Sequence, residues 1–323
     1  MSIPVLTFFN NKGGVGKTSL VYHVAWMLSD LGVRVLAADL DPQGNLTAAF
    51  LDDDRIETLW PDSGDRNTIF GAIRPLKRGV GDIVSVKPEI INDNLALISG
   101  DMALSEFEDD LSQVWPKCLD RDERAFRVIS SFWRVIQNSA NEHGASVVLV
   151  DLGPNLGAIN RAALIASSNV VVPLAPDLFS LQGLRNLGPT LREWRRGWNE
   201  RLEKNPDKNL ILPKGEMAPV GYIVMQHSMR SDRPVKSYEK WISRIPVTYH
   251  KYVLNDQGDG SLSVHQDPHC FSLLKHFRSL MPMAQEARKP MFLLKPADGA
   301  LGSHTKAVQD AYQDFKTLAI KIA

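Results

Sequence analysis

The chain has 323 residues, of which 44% are hydrophobic and 23% are charged, a composition typical of a soluble globular protein with room for one large α/β domain. Lys plus Arg and Asp plus Glu number 37 each, so the net charge gives no reason to expect a nucleic acid, and any basic surface must be local. The two cysteines, Cys118 and Cys270, lie far apart, which argues against a disulfide framework and predicts a cytoplasmic protein.

The first predicted element is a buried strand at residues 3–9, which starts too early to leave room for a signal peptide. No apolar run in the chain approaches the ~18 residues that a membrane span needs. We therefore expect no integral membrane association.

A glycine-rich loop follows this strand and precedes a helix. It runs Lys12-Gly13-Gly14-Val15-Gly16-Lys17-Thr18-Ser19. Strand, glycine-rich turn and helix form the frame that binds phosphate, because backbone N–H groups and the helix N-terminus face the anion. We predict that these eight residues bind a nucleotide, with Lys17 at the outer phosphates and the Thr18 hydroxyl on Mg²⁺. The loop is a variant of the usual one, since Asn11 stands where its first glycine is expected.

The additional lysine, Lys12, carries a family resemblance. Lys12-Gly13-Gly14-Val15-Gly16-Lys17-Thr18 resembles the deviant Walker A loop of the ParA/MinD family of P-loop ATPases. The resemblance implies ATP and Mg²⁺ as cofactors. It also implies a homodimer in the ATP state, in which Lys12 reaches across the interface to the nucleotide of the other subunit.

A second predicted strand, residues 33–38, ends in Asp39-Leu40-Asp41-Pro42-Gln43. Strand, helix and strand predict a parallel βαβ unit, in which these carboxylates lie at the strand end beside the phosphate loop. They are candidates for binding Mg²⁺ and the attacking water; the alternative is a turn capped by Asp and Pro. The resemblance assigns the water to Asp41 and support of the metal shell to Asp39.

Further predicted elements continue the alternation of strands and helices. Residues 52–94 predict short helices and loops at the sheet edge, 94–99 a third strand, and 122–142 one helix with an apolar face. A buried strand, 146–151, ends in Asp151, a position where nucleoside triphosphatases bind Mg²⁺ through water. Gly153 departs from the Pro-Pro that the family more often has after this Asp.

The C-terminal half predicts strands at 169–174 and 219–225, separated by a helix that opens at residue 180. Met225 and Gln226 end the second of these strands and are candidate neighbours of the adenine. Residues 246–282 are predicted as an insertion packed on the domain edge, with a metal site from His265, His269 and Cys270 as a weaker alternative. A last strand is predicted at 289–294. The final helix carries few basic residues, which favours core packing over a membrane anchor.

These elements predict a single P-loop NTPase domain over residues 1–323. Its fold class is α/β, a mostly parallel twisted sheet with helices on both faces, a variable segment at about 52–94 and an insertion at about 246–282. The resemblance is to the ParA/Soj-like branch that has no N-terminal helix-turn-helix.

Two local excesses of positive charge are candidate non-specific DNA surfaces. We name as candidates Arg185, Arg192, Arg195, Arg196, Arg230 and Arg233. An equally weighted alternative is a solvated helix face with internal ion pairs.

The favoured function is a ParA-like ATPase, converting ATP and water slowly to ADP and phosphate, that positions or segregates DNA or another cargo. Its catalytic residues would be Lys12, Lys17 and Asp41, and an adaptor protein would activate it. It would be cytoplasmic, and nucleoid-associated if it binds DNA. Two alternatives stay open: a regulatory ATP-binding subunit without DNA binding, as in phage defence or secretion, and an amidoligase-like metabolic enzyme. An iron–sulfur carrier is disfavoured, because Cys118 and Cys270 occupy neither expected place.

Overall fold

A computed structural model describes residues 2–61, 64–227, 229–230, 233–234, 236–256, 262–275, 277 and 279–322. Its strands are β1 (Val5–Phe8), β2 (Val35–Asp39), β3 (Glu89–Asn92), β4 (Leu95–Ile98), β5 (Val147–Asp151), β6 (Asn169–Leu174), β7 (Ala218–His227), β8 (Met229–Arg230), β9 (Arg233–Pro234) and β10 (Cys270–Lys275). Its α-helices are α1 (Lys17–Asp30), α2 (Asn45–Phe50), α3 (Asp53–Leu59), α4 (Ile69–Lys77), α5 (Glu108–Lys117), α6 (Glu123–Ile129), α7 (Ser131–His143), α8 (Ala158–Ile165), α9 (Leu178–Leu202), α10 (Lys236–Ile242), α11 (Ile245–Thr248), α12 (Leu280–Ala287) and α13 (Ser303–Ile322). Short 3₁₀ helices lie at Met102–Phe107, Met291–Leu293 and Pro296–Asp298, and a π-helix at Tyr249–Leu254.

Eight strands form one sheet in the order β10-β7-β6-β1-β5-β2-β4-β3, and among its pairs only β3 with β4 is antiparallel. The central strands are buried on both faces, as parallel strands covered by crossover helices must be. The predicted fold class, an α/β P-loop domain with a mostly parallel sheet, is confirmed.

Two apolar layers cover the sheet. Helices α4 to α9 pack on one face, where Phe107, Phe132 and Trp198 are fully buried. Helices α1 and α13 pack on the other, around Leu20, Met27 and Phe315. The final helix is thus a core helix, as predicted. No helix in the described part of the chain combines the length and the apolar character needed to cross a bilayer.

Three predicted elements differ in the structure. The prediction of a strand at 289–294 is wrong. The centre of this segment is the 3₁₀ turn Met291–Leu293, because the Met291 N–H donates to the side chain of His23 and not to a neighbouring strand. The helix predicted at 122–142 is two helices that meet at Ser130. An antiparallel edge strand, β3, lies within the segment predicted as helices and loops.

The segment predicted as an insertion at 246–282 supplies the last strand of the sheet. Strand β10 pairs in parallel with β7, with Cys270 opposite Tyr222. Four of its six residues are only partly buried, as expected for an edge strand. This half-buried pattern is weaker than the continuous apolar runs of β1 or β6, so periodicity alone does not reveal it.

Candidate functional site

The phosphate loop connects β1 to α1 at the centre of the sheet. Gly16 adopts φ 84°, a left-handed conformation that L side chains rarely tolerate, and α1 begins at the next residue. Asn10 anchors the loop at its base, since its Nδ2 donates to the Pro173 carbonyl at 2.7 Å and its Oδ1 accepts from the Lys12 N–H at 3.0 Å. The loop is therefore held to the ends of β1 and β6 before any ligand arrives.

Lys17 is buried at the start of α1. Its Nζ donates to the Lys12 carbonyl at 3.2 Å, across the opening of the loop. Burial lowers the pKa of Lys17, while the charges of Asp151 and Asp41 oppose that change. In this position the Lys17 ammonium can replace its hydrogen bond to the Lys12 carbonyl with one to an anionic oxygen of a ligand.

Lys12 forms an ion pair within the same chain. Its Nζ contacts Oδ2 of Asp177, while the other oxygen of Asp177 accepts the Ser180 N–H at 2.9 Å and so caps α9. Both side chains are about one-third exposed, at 27% and 35%. Burial would raise the pKa of Asp177, but the hydrogen bonds from Lys12 and Ser180 hold it below its ordinary value.

Asp151 and Asp39 lie side by side at the ends of β5 and β2, opposite each other in the strand register. Asp39 is fully buried, and its oxygens accept from the Asp41 N–H at 3.2 Å and from both the N–H and the hydroxyl of Thr47 at 2.8 Å. Burial raises the pKa of Asp39 to about 6, against those hydrogen bonds. The hydrogen bond from the Asp41 N–H also lets Asp39 fix the backbone of Asp41.

The oxygens of Asp151, unlike those of Asp39, are not held by any backbone donor in the described part of the chain. Asp151 is fully buried; among the described residues neither oxygen makes a hydrogen bond of good geometry, and the Thr18 hydroxyl is the nearby donor. Burial raises the pKa of Asp151 to about 8; the charge of Asp39 adds to this rise, and the nearby Thr18 hydroxyl and the charge of Lys17 oppose it. An unpartnered buried carboxylate costs several kcal/mol unless a cation or a donor compensates it.

The oxygens around Asp151 fit a hydrated Mg²⁺. The Thr18 hydroxyl and the Asp151 carboxylate lie beside the loop, and oxygen ligands with retained waters are what this ion prefers. Asp41 lies nearby and is 6% exposed; its Oδ1 accepts from the Gln43 N–H at 3.0 Å. A Cβ at Gly153 would lie 3.1 Å from this Oδ1, so the glycine that departs from the family pattern leaves room for Asp41.

A cavity of about 440 Å³ adjoins Thr18 and Ser19, between α1, α2 and α12. Tyr22, Met281 and Arg288 are among its lining residues. Met225, predicted as an adenine neighbour, contacts the loop, with its methyl group 3.2 Å from the place of a Cβ on Gly16, and its role at the adenine stays a prediction. A larger cavity, of about 880 Å³, is lined by residues such as Gln137 and Lys214, away from the loop.

The predicted DNA-binding arginines divide into two groups. Arg192 donates to the carbonyls of Tyr252 and Val253, at 2.9 and 3.1 Å, and Arg195 donates to the carbonyl of Met217 at 2.7 Å. Both are half-buried and stabilise the fold.

On the same helix, Arg185 and Arg196 are exposed, and eleven residues apart they share one helix face. The side chains of Gln226, Arg230 and Arg233 lie outside the described residues.

Sequence reasoning missed two residues of this site, Asn10 and Asp177. Each follows the carboxyl end of a central strand, where polar side chains converge on a ligand. That position was the available signal for both. The cysteines lie elsewhere: Cys118 is fully buried, and burial raises the pKa of its thiol to about 12.

The chain is similar in sequence to a family model and to several known proteins. The family model for an AAA domain matches residues 3–204. The chain is 29% identical over 193 residues to the chromosome-partitioning ATPase Soj of Thermus thermophilus, and 30% identical over 199 residues to the chromosome partitioning protein ParA of Caulobacter vibrioides. The matches cover 60% and 62% of this chain and 63% and 66% of those relatives, so the chain spans less than two thirds of either.

Two solved structures have a fold similar to that of this chain. The complex of Cyanothece McdA with ATP superposes with a TM-score of 0.64 at 15% identity, over 99% of this chain and 96% of that one. A Corynebacterium diphtheriae protein superposes with a TM-score of 0.60 at 28% identity, over 69% of this chain and 83% of that one.

Proposed function

This chain belongs to the ParA/MinD family of P-loop ATPases, and from that premise we propose that it is an ATP-dependent dimer switch. ATP binding closes two copies into a dimer, and slow hydrolysis to ADP and phosphate reopens it. One observation carries the proposal: buried Lys17 and the unpartnered carboxylate of Asp151 meet at one phosphate loop. A cationic group and a buried carboxyl that a bound cation would ionise suit a nucleotide phosphate together with a divalent cation.

Within one subunit, Lys17 binds the outer phosphates. Thr18 and Asp151 would hold Mg²⁺, which when bound would neutralise negative charge on the phosphates. Asp41 orients the attacking water, and Asp39 fixes the backbone of Asp41 through the hydrogen bond to its N–H.

Lys12 acts on the other subunit. In the single chain its ammonium pairs with Asp177, and dimer closure exchanges this carboxylate for the phosphates of the facing nucleotide. An exposed ion pair contributes only ~0–1 kcal/mol, so the exchange is inexpensive. The nucleotide state is thereby coupled to dimerisation, and an adaptor protein would speed the return.

The cargo that this switch serves is DNA or a body carried along it. The two relatives named for chromosome partitioning support this. The exposed Arg185 and Arg196 would contact phosphates without reading sequence. Such binding should need ATP, and its affinity should fall steeply with salt.

Two assays test the proposal. Lys17→Ala should abolish Mg²⁺-dependent phosphate release, whereas Lys214→Ala, at an exposed lysine outside the loop, should leave the rate unchanged. DNA binding by the Arg185→Ala, Arg196→Ala double variant should weaken several-fold in the presence of ATP and Mg²⁺. DNA affinity that ignores nucleotide and salt, or phosphate release that survives loss of Lys17, would refute the respective part.

A further inference from the structure

A cluster of two histidines and one carboxylate lies away from the phosphate loop. His250 is in the π-helix Tyr249–Leu254, and Asp267 and His269 are in the turn that leads into β10. The turn precedes strand β10, whereas the phosphate loop follows strand β1, and both strands belong to the parallel part of the sheet. The cluster and the loop therefore lie at opposite ends of the parallel strands. The nucleotide chemistry makes no use of these residues.

The spacing of the donor atoms matches a metal coordination sphere. His250 Nε2 and His269 Nδ1 lie 3.1 and 3.4 Å from Oδ1 of Asp267, and one ligand atom from each residue lies within 4.8 Å of the others. Tetrahedral Zn²⁺ with bonds of about 2.0–2.1 Å separates its ligand atoms by about 3.3 Å. The two distances to Asp267 Oδ1 are thus close to the separation of two ligands of one such ion.

The Asp267 Oδ1 is hydrogen-bonded to His250 Nε2 at 3.1 Å and accepts the His269 N–H at 3.0 Å, but one nitrogen of the cluster has no partner in the described part of the chain. The His269 Nδ1 is buried and has no hydrogen-bond partner among the described residues. The Asp267 side chain is 0% exposed, unlike the solvated acidic groups that are common on surfaces. A nitrogen without a partner, turned towards a buried carboxylate, is a group that a cation would satisfy.

Outer groups are present as well. The Tyr222 hydroxyl, in β7, donates to Asp267 Oδ2 at 2.8 Å, and Asp256 Oδ2 lies 3.8 Å from the second ring nitrogen of His250. Partners of this kind orient the ligands in metal sites and tune their affinity. The histidine side chains are 18% and 31% exposed, and a water would be the fourth ligand of a tetrahedral ion.

We propose that His250, Asp267 and His269 bind one divalent transition-metal ion of the zinc class. Two imidazole nitrogens and one carboxylate oxygen favour Zn²⁺ over Mg²⁺, which prefers oxygen ligands. The ion would fasten the edge strand β10 to the π-helix, which in turn packs on α9 through contacts such as that between Arg192 and the Tyr252 carbonyl. Of the trio suggested by sequence, only His269 belongs to this cluster.

The test titrates Zn²⁺ into full-length protein that has been stripped with a chelator and kept in excess Mg²⁺, which occupies the nucleotide site. Wild type should retain one Zn²⁺ per chain after gel filtration, by elemental analysis. Its Tm should rise by roughly 5 °C when free Zn²⁺ exceeds Kd about 100-fold.

His250→Gln and His269→Gln should lose both effects, and Tyr222→Phe should weaken Zn²⁺ binding about 10–100-fold. The matched control is His265→Gln, an exposed histidine of the same segment, which should behave as wild type. Wild type that retains no Zn²⁺ and shows no Tm response would establish a purely hydrogen-bonded cluster and overturn the proposal, as would equal retention by the His269→Gln variant.

If the histidine variants fail to fold, the addition of Co²⁺ to wild-type protein tests the proposal instead. A tetrahedral nitrogen- and oxygen-ligated ion should give visible absorption bands that Zn²⁺ displaces and that survive saturation with Mg²⁺. Absence of these bands would overturn the assignment. None of these readouts depends on ATP turnover, so the result stands apart from the proposed ATPase function.

Discussion

His23 should make the protein lose stability in mild acid. This side chain joins α1 to the C-terminal layer: its Nδ1–H donates to the Ser19 carbonyl at 2.6 Å, and its Nε2 accepts the Met291 N–H at 3.1 Å. Its ring stacks on Phe315, with ring centroids 5.0 Å apart. Protonation would point a second N–H at the donor of Met291 and charge a fully buried ring. Burial accordingly lowers the pKa of His23 from 6.5 to about 4.

The direction of the pH effect follows from these two values. Above pH 6.5 the ring is neutral in both states, and there is no penalty. Below it the unfolded chain takes up a proton that the folded chain refuses until about pH 4, so stability falls across that window. At ~1.36 kcal/mol for each pH unit, the loss is about 2 kcal/mol at pH 5 and about 3 kcal/mol in full.

Urea unfolding of wild type and His23→Asn at pH 7.5 and pH 5 measures this effect. The variant should be less stable at pH 7.5, since it loses packing, but its stability should fall by about 2 kcal/mol less than that of wild type between the two pH values. Other titrating groups cancel in this double difference. Equal losses in the two proteins would refute the account of His23.

Three further predictions concern the nucleotide site. Asp177→Asn should change Tm little but promote ATP-dependent dimerisation several-fold, because Lys12 is released; weaker dimerisation by light scattering would contradict this. Gly183→Ala should lower nucleotide affinity about tenfold in calorimetry, because its Cβ would press on the loop asparagines at 2.9 Å, whereas its exposed neighbour Gln182→Ala should bind normally. Asp151→Asn should reduce Mg²⁺-dependent turnover at least ~100-fold, yet the metal-free protein should melt no lower than wild type, because burial already disfavours the charge of this carboxyl and Asn is its uncharged isostere. A clear fall in its Tm would argue that Asp151 is already compensated.

Sequence patterns located the strands and loops at the centre of the sheet, because these have a dominant local cause. Strands β1, β5 and β6 are short, continuous apolar runs, and each was expected at nearly its observed bounds. The phosphate loop was recognisable because its glycines and lysines occupy consecutive positions.

The failures share a non-local cause. Residues 289–294 are apolar enough for a strand, but the hydrogen bond from Met291 to His23 joins positions 268 residues apart. The partner of Lys12, Asp177, is 165 residues away. The cluster at His250 and Asp267 needs β10 beside β7, a pairing that no local pattern specifies. Tertiary contacts of this kind override local propensity.

The central claim is that Lys12 couples bound ATP to dimerisation. Sedimentation velocity of wild type and Lys12→Ala, each with Mg²⁺ and a non-hydrolysable ATP analogue, tests it directly. Wild type should shift from the 36.0 kDa of one chain to twice that mass, while Lys12→Ala should bind the analogue and remain at 36.0 kDa. A Lys12→Ala protein that dimerises at the same analogue concentration as wild type would contradict the claim.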